Sequence, residues 1–349
     1  FFCSTDTLLV RKFFIKRLTK DKQRRDFIHM EESFKNEAIM YTKLLPLIPD
    51  IHQIIPKCLF VTEDIVVMSD LRVSGFKMAD KRKGLDLSHA TLVMKTIGQL
   101  HAGTYNLKST KEYAELVPTM FDYVFHNKMY FNLVEAALKV SLEQIRRVDD
   151  GSLDAVVEAV QDLVDNGRTR EVFKRMHDST KLSVLCHGDL WTNNLMFSYT
   201  ESNTVATVKL MDFQFSRCCS LAVDLWMFFY TSISPHLLNA EYDNLVSVYI
   251  TSFTSCLRTP EGQGPTEMEI MEEIDSKEMY GFLVSQWFLC GTLRDWSRDW
   301  RDLEVMLQDQ DSVIERFFKV DEVMGDRIVE LARRCLARNV FCSLVDKKD

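Results

Sequence analysis

The chain has little glycine and no run of apolar residues long enough to cross a membrane. It contains 12 glycines and seven prolines among 349 residues, and the first glycine is Gly75. The most apolar stretches, residues 225–234 and 280–293, are shorter than the roughly 20 residues that a membrane-spanning helix requires. We therefore expect no membrane partner and no glycine-bearing loop before Gly75.

Cysteine pairs and basic runs are also missing. The nine cysteines are scattered from Cys3 to Cys342, and none forms a Cys-x-x-Cys pair. This spacing argues against a zinc site and against a disulfide framework, and it favours a reducing, cytoplasmic location. The net charge is -8 and the one basic cluster, residues 81–83, is short, so we expect no nucleic-acid partner.

Composition predicts a folded chain with a sizeable core. Hydrophobic residues make up 46% and charged residues 27% of the sequence, and 349 residues suffice for one large domain or two lobes. Because the sequence begins at Phe1 rather than at methionine, we expect it to be part of a longer chain. Composition leaves the oligomeric state open.

The first lobe-sized segment pairs a lysine with a glutamate. Lys16 lies in a stretch rich in β-forming residues, and residues 33–45 predict a helix. Phe34, Glu37 and Tyr41 share one face of this helix, so we expect Glu37 to point inward, where it needs a cation. Lys16 is the candidate partner. The alternative is a solvated acid and an edge-strand lysine.

Two more predicted strands complete a small lobe. Residues 56–60 and 65–70 follow the helix, which gives the order strand, helix, strand, strand. We predict an N-lobe over residues 1–72 and a mainly helical C-lobe over residues 73–349. The helices predicted in the C-lobe cover residues 87–103, 120–140, 153–165, 171–177, 220–230, 266–276, 280–293, 312–318 and 324–340.

The most informative stretch covers residues 184–197. Three apolar residues lead into His187, Gly188 and Asp189, and Asn194 follows after four intervening residues. In phosphoryl transfer this spacing lets the aspartate reach an acceptor hydroxyl and the asparagine reach a metal ion. The alternative is a turn with a structural histidine, because turns favour glycine and aspartate.

Three further residues are tied to this stretch. Asp212 ends a strand predicted over residues 205–211, where a second acid suits Mg²⁺ on nucleotide phosphates. Asp224 lies in an apolar helix, and we expect it to cap backbone amides of the central loop rather than only to begin its helix. His101 is expected to be a buried, hydrogen-bonded histidine without a catalytic role.

The residues of these motifs resemble those of one protein family. The run His187–Trp191, then Asn193 and Asn194, then Asp212-Phe213-Gln214, is similar to the ecdysteroid-kinase-like proteins, which are choline-kinase-like and related to aminoglycoside phosphotransferases. The same resemblance extends to three N-terminal and central patterns, namely Phe14-Ile15-Lys16, Phe34-x-x-Glu37-x-x-x-Tyr41 and Leu100-His101-Ala102.

The resemblance implies an α+β, bilobal protein-kinase-like fold and an ATP-dependent small-molecule kinase that phosphorylates a hydroxyl. It implies Asp189 as catalytic base, Asn194 and Asp212 as Mg²⁺ ligands, Lys16 as a contact to ATP phosphates and Glu37 as the partner of Lys16. The substrates that give the family its name are polyhydroxylated insect steroids. A glycine loop over the phosphates would have to precede Phe1 or be replaced.

The sequence leaves three possible functions: a kinase for an apolar alcohol or steroid, a kinase for a cationic amino alcohol such as choline or ethanolamine, and a protein that binds a ligand without turnover. The aromatic run at residues 225–230, with Trp287 and Phe288, suggests an apolar wall, although core packing is the alternative. A cationic acceptor needs an aromatic and acidic cage, which could be formed by Asp295, Trp296 and Trp300. The alternative is that these residues take part in ordinary helix packing. We expect an uncharged, largely apolar alcohol.

Overall fold

A computed structural model describes residues 12–27, 29–148, 150–179, 182–258, 264–293, 318 and 320–342. Several predicted features lie outside these ranges: Cys3, most of the loop at residues 258–265, the cage residues 295–300 and the helix at residues 312–317. Among the described helices, none combines the length and the apolar character that crossing a membrane requires.

The N-lobe is built on a three-stranded antiparallel sheet. Its strands are β1 (Phe13–Arg17), β2 (Cys58–Val61) and β3 (Ile65–Ser69), in the order β1-β3-β2. Two helices, α1 (Lys22–Phe27) and α2 (Met30–Ile39), connect β1 to β2. The sheet therefore has β1 as an edge strand, and Lys16 lies opposite Val66 of the central strand.

Helix α2 carries the inward face that the sequence predicts. Phe34 and Glu37 are fully buried and Tyr41 nearly so, which confirms that this acid points into the protein. Beyond Ile39 the chain continues as a π-helical turn at Met40–Leu44 and then meets Pro46, which ends the helical path. The predicted helix at residues 33–45 thus begins and ends within a few residues of the observed one.

The C-lobe is mainly helical. Its helices are α3 (Leu87–Asn106), α4 (Lys111–Leu116), α5 (Tyr123–His126), α6 (Lys128–Arg146), α7 (Asp154–Asp165), α8 (Thr169–His177), α9 (Ala222–Ser232), α10 (Pro235–Cys256), α11 (Glu267–Ser276), α12 (Glu278–Trp287) and α13 (Glu322–Ala337). Helix α3 packs closely on α10, since a Cβ at Gly98 would lie 2.9 Å from the Tyr249 carbonyl oxygen.

One predicted helix is wrong in its first part. Residues 120–140 do not form a single helix, because the Asp122 side chain accepts from the Val124 amide and begins the short α5 instead. Asn127 then leaves helical geometry before α6 starts. Such a side chain competes with the helix for its own backbone amides, which the apolar spacing of the sequence does not reveal.

Two strand pairs position the central loops of the C-lobe. Strand β4 (Ser183–Cys186) pairs antiparallel with β7 (Arg217–Ser220), and β5 (Leu195–Tyr199) pairs antiparallel with β6 (Val205–Leu210). The loop with Asp189 therefore runs from β4 to β5, and the segment with Asp212 runs from β6 to β7. The predicted strand at residues 205–211 is confirmed almost to the residue.

This architecture confirms the α+β, bilobal protein-kinase-like fold expected from the sequence: a small sheet with two helices, followed by a large helical lobe with paired strands. The two lobes are joined by residues 70–75, where Asp70 begins a short 3₁₀ turn that ends at Gly75. The division between residues 72 and 73 stays a prediction.

Candidate active site

The loop after β4 turns sharply at a glycine. Gly188 has φ +84°, and a Cβ there would lie 2.0 Å from the Phe215 carbonyl oxygen. A side chain would meet both a left-handed backbone and a backbone atom, so only glycine fits. The turn lays the loop directly on the Phe213–Phe215 segment, which follows Asp212.

Asp224 holds this loop by accepting hydrogen bonds from its backbone amides, as the sequence predicts. Its carboxylate oxygens accept from the amides of His187 (2.6 Å) and Gly188 (2.9 Å). His101 Nε2 lies 3.0 Å from the same carboxylate, and its Nδ1 lies 2.8 Å from the Tyr249 hydroxyl. Although burial by itself raises it, these donors hold the pKa of Asp224 below its ordinary value.

The cluster around Asp224 has a structural role. His101, Cys186 and Asp224 bring ligand-type atoms within 4.8 Å of one another. Both Asp224 oxygens, however, already accept hydrogen bonds, and the Cys186 thiol faces the Ser220 carbonyl oxygen at 3.4 Å. These partners satisfy the group without a metal, which agrees with the expectation that His101 is a buried, hydrogen-bonded residue.

Asp189 is a half-buried carboxylate with two side-chain donors. The Asn194 amide donates to the Asp189 carbonyl and to its Oδ2, both at 2.8 Å, and Trp191 Nε1 donates to Oδ2 at 3.3 Å. Burial, together with the nearby charge of Asp212, raises the pKa of Asp189 to about 7. A carboxylate with this pKa accepts a proton readily near neutral pH.

Asp212 lies beside the same loop. Its backbone has φ +67°, a left-handed conformation that aspartate tolerates better than most residues. Next to it, the Met211 carbonyl lies 2.8 Å from His187 Nε2, and the Met211 amide donates to the Asn194 carbonyl at 3.0 Å. These two bonds bring Asp212 and Asn194, which are 18 positions apart in the sequence, to neighbouring places.

Lys16 joins the two lobes at this point. Its ammonium lies 2.8 Å from Glu37 Oε2 and 2.7 Å from Asp212 Oδ1, which confirms that the predicted pair meets. Although burial by itself lowers it, the two carboxylates raise the pKa of Lys16. Burial raises the pKa of Glu37 to about 7 against the attraction of Lys16, and its Oε1 has no hydrogen-bond partner among the described residues.

Three polar residues for which the sequence predicted no role support this arrangement. Asn36 donates to the Phe121 carbonyl at 2.7 Å and accepts from the Phe121 amide at 2.9 Å. Gln214 Oε1 accepts from Lys16 at 3.0 Å. Arg217 donates to the Gly188 carbonyl at 3.0 Å. Asn36 lies next to Glu37 on the predicted inward helix, which was the available signal.

Aromatic side chains lie on two sides of Asp189. Trp191, which contacts its carboxylate, packs against Phe288 with ring centroids 5.0 Å apart. Tyr123 lies 4.5 Å from the Phe215 ring. Burial, with a contribution from the Asp189 charge, raises the pKa of Tyr123 to about 12. Phe288 therefore lies near the loop that carries Asp189.

The prediction that the aromatic run at residues 225–230 forms part of an apolar wall is wrong. Trp226, Phe228, Phe229 and Tyr230 have no solvent exposure and pack within the core of the C-lobe. Trp226 illustrates the reason, because its Nε1 donates to the Ile274 carbonyl of α11 at 2.6 Å. Helix α9 is surrounded by other helices, so its aromatic run contributes to core packing rather than to a cavity.

The oxygens at the site suit a hard divalent cation. Asn194 uses its Nδ2 for Asp189, and none of the hydrogen bonds between described residues engages its Oδ1. Asp212 is 31% exposed and offers its carboxylate from the adjacent segment. Carboxylate and amide oxygens are the ligands that Mg²⁺ prefers, so these two residues fit it chemically.

Comparisons with solved structures give weak similarities to three kinases. An ethanolamine kinase of Plasmodium vivax is 15% identical, with a TM-score of 0.47 over 95% of this chain and 77% of that one. A choline kinase of Streptococcus pneumoniae is 14% identical, with a TM-score of 0.43 over 94% and 86%. A choline kinase of Cryptosporidium parvum is 14% identical, with a TM-score of 0.42 over 93% and 80%. Among curated protein sequences none matches.

The comparison with family models is decisive. The model of the ecdysteroid kinase-like family matches residues 5–261, well over half of the 349 residues, and it covers every site residue described above except Phe288 and Ile274. Such a match supports a small-molecule kinase without specifying the acceptor. The chain belongs to the ecdysteroid kinase-like family.

Proposed function

We propose that this protein transfers the γ-phosphoryl group of ATP to a hydroxyl of a small, uncharged and largely apolar alcohol. The observation that carries the proposal is the Asp189 carboxylate, whose pKa is raised to about 7 beside the Asn194 amide and the Asp212–Lys16 ion pair. A base with a pKa near neutral, next to a cluster suited to metal and phosphate, is what alcohol phosphorylation requires.

Each group has one task in the reaction. Asp189 accepts the hydroxyl proton and aims the oxygen at the γ-phosphorus. The new O–P bond forms as the bond to the β-phosphate oxygen breaks, so ADP leaves with that electron pair and the proton remains on Asp189. Lys16, held by Glu37, binds the phosphates. Asn194 Oδ1 and Asp212 would hold Mg²⁺, which neutralises the charge of the phosphate oxygens when bound.

The choice of an apolar acceptor is supported by the side chains beside Asp189. Two aromatic pairs, Trp191 with Phe288 and Tyr123 with Phe215, lie near Asp189. The Arg217 guanidinium is already engaged, because it donates to the Gly188 and Phe215 carbonyls and to the Tyr280 hydroxyl. A polyhydroxylated steroid of the ecdysteroid class fits these requirements, since it needs apolar contact and one oriented hydroxyl.

The test is ADP release by the full chain with Mg²⁺ and ATP against three acceptor sets: polyhydroxylated steroids, choline with ethanolamine, and sugars. We expect acceptor-dependent ADP release with steroids only, and little effect of salt on the acceptor KM because no long-range charge attraction is involved. Efficient turnover of choline or ethanolamine alone would overturn the apolar acceptor.

The matched control in this assay separates catalysis from binding. Asp189→Asn should bind ATP yet lose turnover, whereas Asp243→Asn, an exposed carboxylate on α10, should keep it. ATP binding without turnover of any acceptor by the wild-type chain would favour a ligand-binding protein of the same fold over an enzyme.

A further inference from the structure

The ammonium group of Lys16 lies among three oxygens. Glu37 Oε2 is 2.8 Å away, Asp212 Oδ1 is 2.7 Å away and Gln214 Oε1 is 3.0 Å away. Three acceptors match the three protons of an ammonium group, so the cation is fully coordinated by protein. In this arrangement Lys16 neutralises the carboxylate that the proposed function gives to Mg²⁺.

Gln214 contacts both members of the Lys16–Asp212 pair. Its Oε1 accepts from Lys16, and its Nε2 lies 3.5 Å from Asp212 Oδ2. Its main chain is also fixed, because its carbonyl oxygen accepts from the Asn36 amide at 3.4 Å. A neutral amide can therefore hold an ammonium on one side and orient a carboxylate on the other without adding charge.

The same two groups have other partners in the reaction. Lys16 must turn to the phosphates, and Asp212 must offer its oxygens to the metal ion. The Lys16 ammonium lies 2.7 Å from Asp212 Oδ1. A divalent cation bound to the same carboxylate would be repelled by this positive charge. The metal and Lys16 therefore compete for Asp212 until phosphate oxygens draw the ammonium away.

We propose that Gln214 is a positioning residue that holds Lys16 on Asp212 in the nucleotide-free protein, so that a divalent cation binds well only together with nucleotide. This inference rests on the proposed function, since it assumes that Asp212 is a metal ligand. It goes further by assigning Gln214 the role of setting the order in which metal and nucleotide bind.

The experiment measures Mn²⁺ binding to the protein without nucleotide, by the electron paramagnetic resonance signal of the free ion. Mn²⁺ replaces Mg²⁺ because both prefer oxygen ligands and Mn²⁺ has a spectrum. Lys16→Met removes the competitor, and Gln214→Met removes one of its three contacts. We expect Mn²⁺ affinity to rise about tenfold or more in the first variant and about threefold to tenfold in the second, the range for one hydrogen bond of ordinary strength.

Three further variants serve as controls. Lys35→Met removes one positive charge from an exposed position on α2, so its effect measures net charge alone. Asp212→Asn should abolish Mn²⁺ binding in every background. Gln214→Asn, whose side chain is too short to reach Lys16, should behave like Gln214→Met and guards against a folding defect, which would weaken binding rather than strengthen it.

An unchanged or lower Mn²⁺ affinity in both Gln214 variants would overturn the proposal, as would Mn²⁺ binding that survives Asp212→Asn. A rise no larger than that of Lys35→Met would also overturn it. Cation binding and turnover are separate measurements. If Mn²⁺ affinity rises in the variants as expected but no acceptor gives ADP release, the result counts against the proposed function. If ADP is released but Mn²⁺ affinity does not rise in the variants, the result counts against the role of Gln214.

Discussion

Replacing Asp189 by asparagine should abolish turnover and, at alkaline pH, make the folded protein more stable. Burial and the charge of Asp212 raise the pKa of Asp189 from the ordinary 3.8 to about 7. A pKa raised by folding means that the protonated carboxyl favours the folded state. That stabilisation is complete below pH 3.8 and is lost as the pH rises through about 7.

The size of the effect follows from the same pKa. Well above pH 7, keeping this carboxylate ionised in the folded protein costs about 4 kcal/mol. Asparagine cannot ionise, and its oxygen accepts from Asn194 and Trp191 as that of the protonated carboxyl does; the stronger bonds to the ionised carboxylate are already included in its raised pKa. We therefore expect Asp189→Asn to be about 4 kcal/mol more stable than wild type at pH 8.5 and about 2 kcal/mol more stable at pH 5.

The assay is urea unfolding of both proteins between pH 5 and pH 8.5, with a chelator and without nucleotide. Asp243→Asn on α10 serves as control for the loss of one negative charge at an exposed position. Turnover of Asp189→Asn should fall at least about a hundredfold. A stability difference that does not change with pH, or a variant less stable than wild type at pH 8.5, would refute the desolvated carboxylate. Near-normal turnover would refute the base.

Three further predictions concern the residues around this carboxylate. In a double-mutant cycle on ATP affinity, Lys16→Met and Glu37→Gln should be non-additive, because Lys16→Met leaves the buried Glu37 carboxylate without its cation and Glu37→Gln removes one of the acceptors of Lys16; strict additivity would mean that the contact has no energetic weight. Gly188→Ala should destabilise the chain by about 2 kcal/mol or more in thermal unfolding, since its Cβ would meet the Phe215 carbonyl, and a neutral result would show that the turn relaxes. Asp224→Asn leaves one loop amide without an acceptor, so urea unfolding should give a loss of about 2–4 kcal/mol, and a smaller loss would indicate that water replaces it.

The site was predictable where local spacing determines the geometry. The loop around Asp189 and the strand before Asp212 are short segments, and their residues meet because the strands on either side pair antiparallel, β4 with β7 and β5 with β6. The contact between Lys16 and Glu37 followed from one helix face, since an acid among aromatic residues requires a buried cation. The roles of these residues in catalysis stay predictions.

Longer-range packing was not predictable from the same sequence. An aromatic run such as residues 225–230 has the same pattern whether it lines a cavity or packs against α11 and α12, and the outcome depends on helices that are distant in sequence. The break at Asn127 depends on one side chain that caps a helix beginning at Tyr123. Gln214 was noticed only as the third residue of Asp212-Phe213-Gln214, and its role was not predictable, because a polar residue in a loop is ordinary until its partners are known.

Asn36 has a mechanical consequence. It is buried and ties α2 to the Phe121 backbone by two hydrogen bonds, and to the Gln214 carbonyl by a third. Although α2 belongs to the N-lobe by position in the chain, it is pinned to the C-lobe. Any rotation of the β1-β3-β2 sheet over the C-lobe would therefore shift Lys16 on β1 relative to Glu37, because these hydrogen bonds hold α2 against the C-lobe.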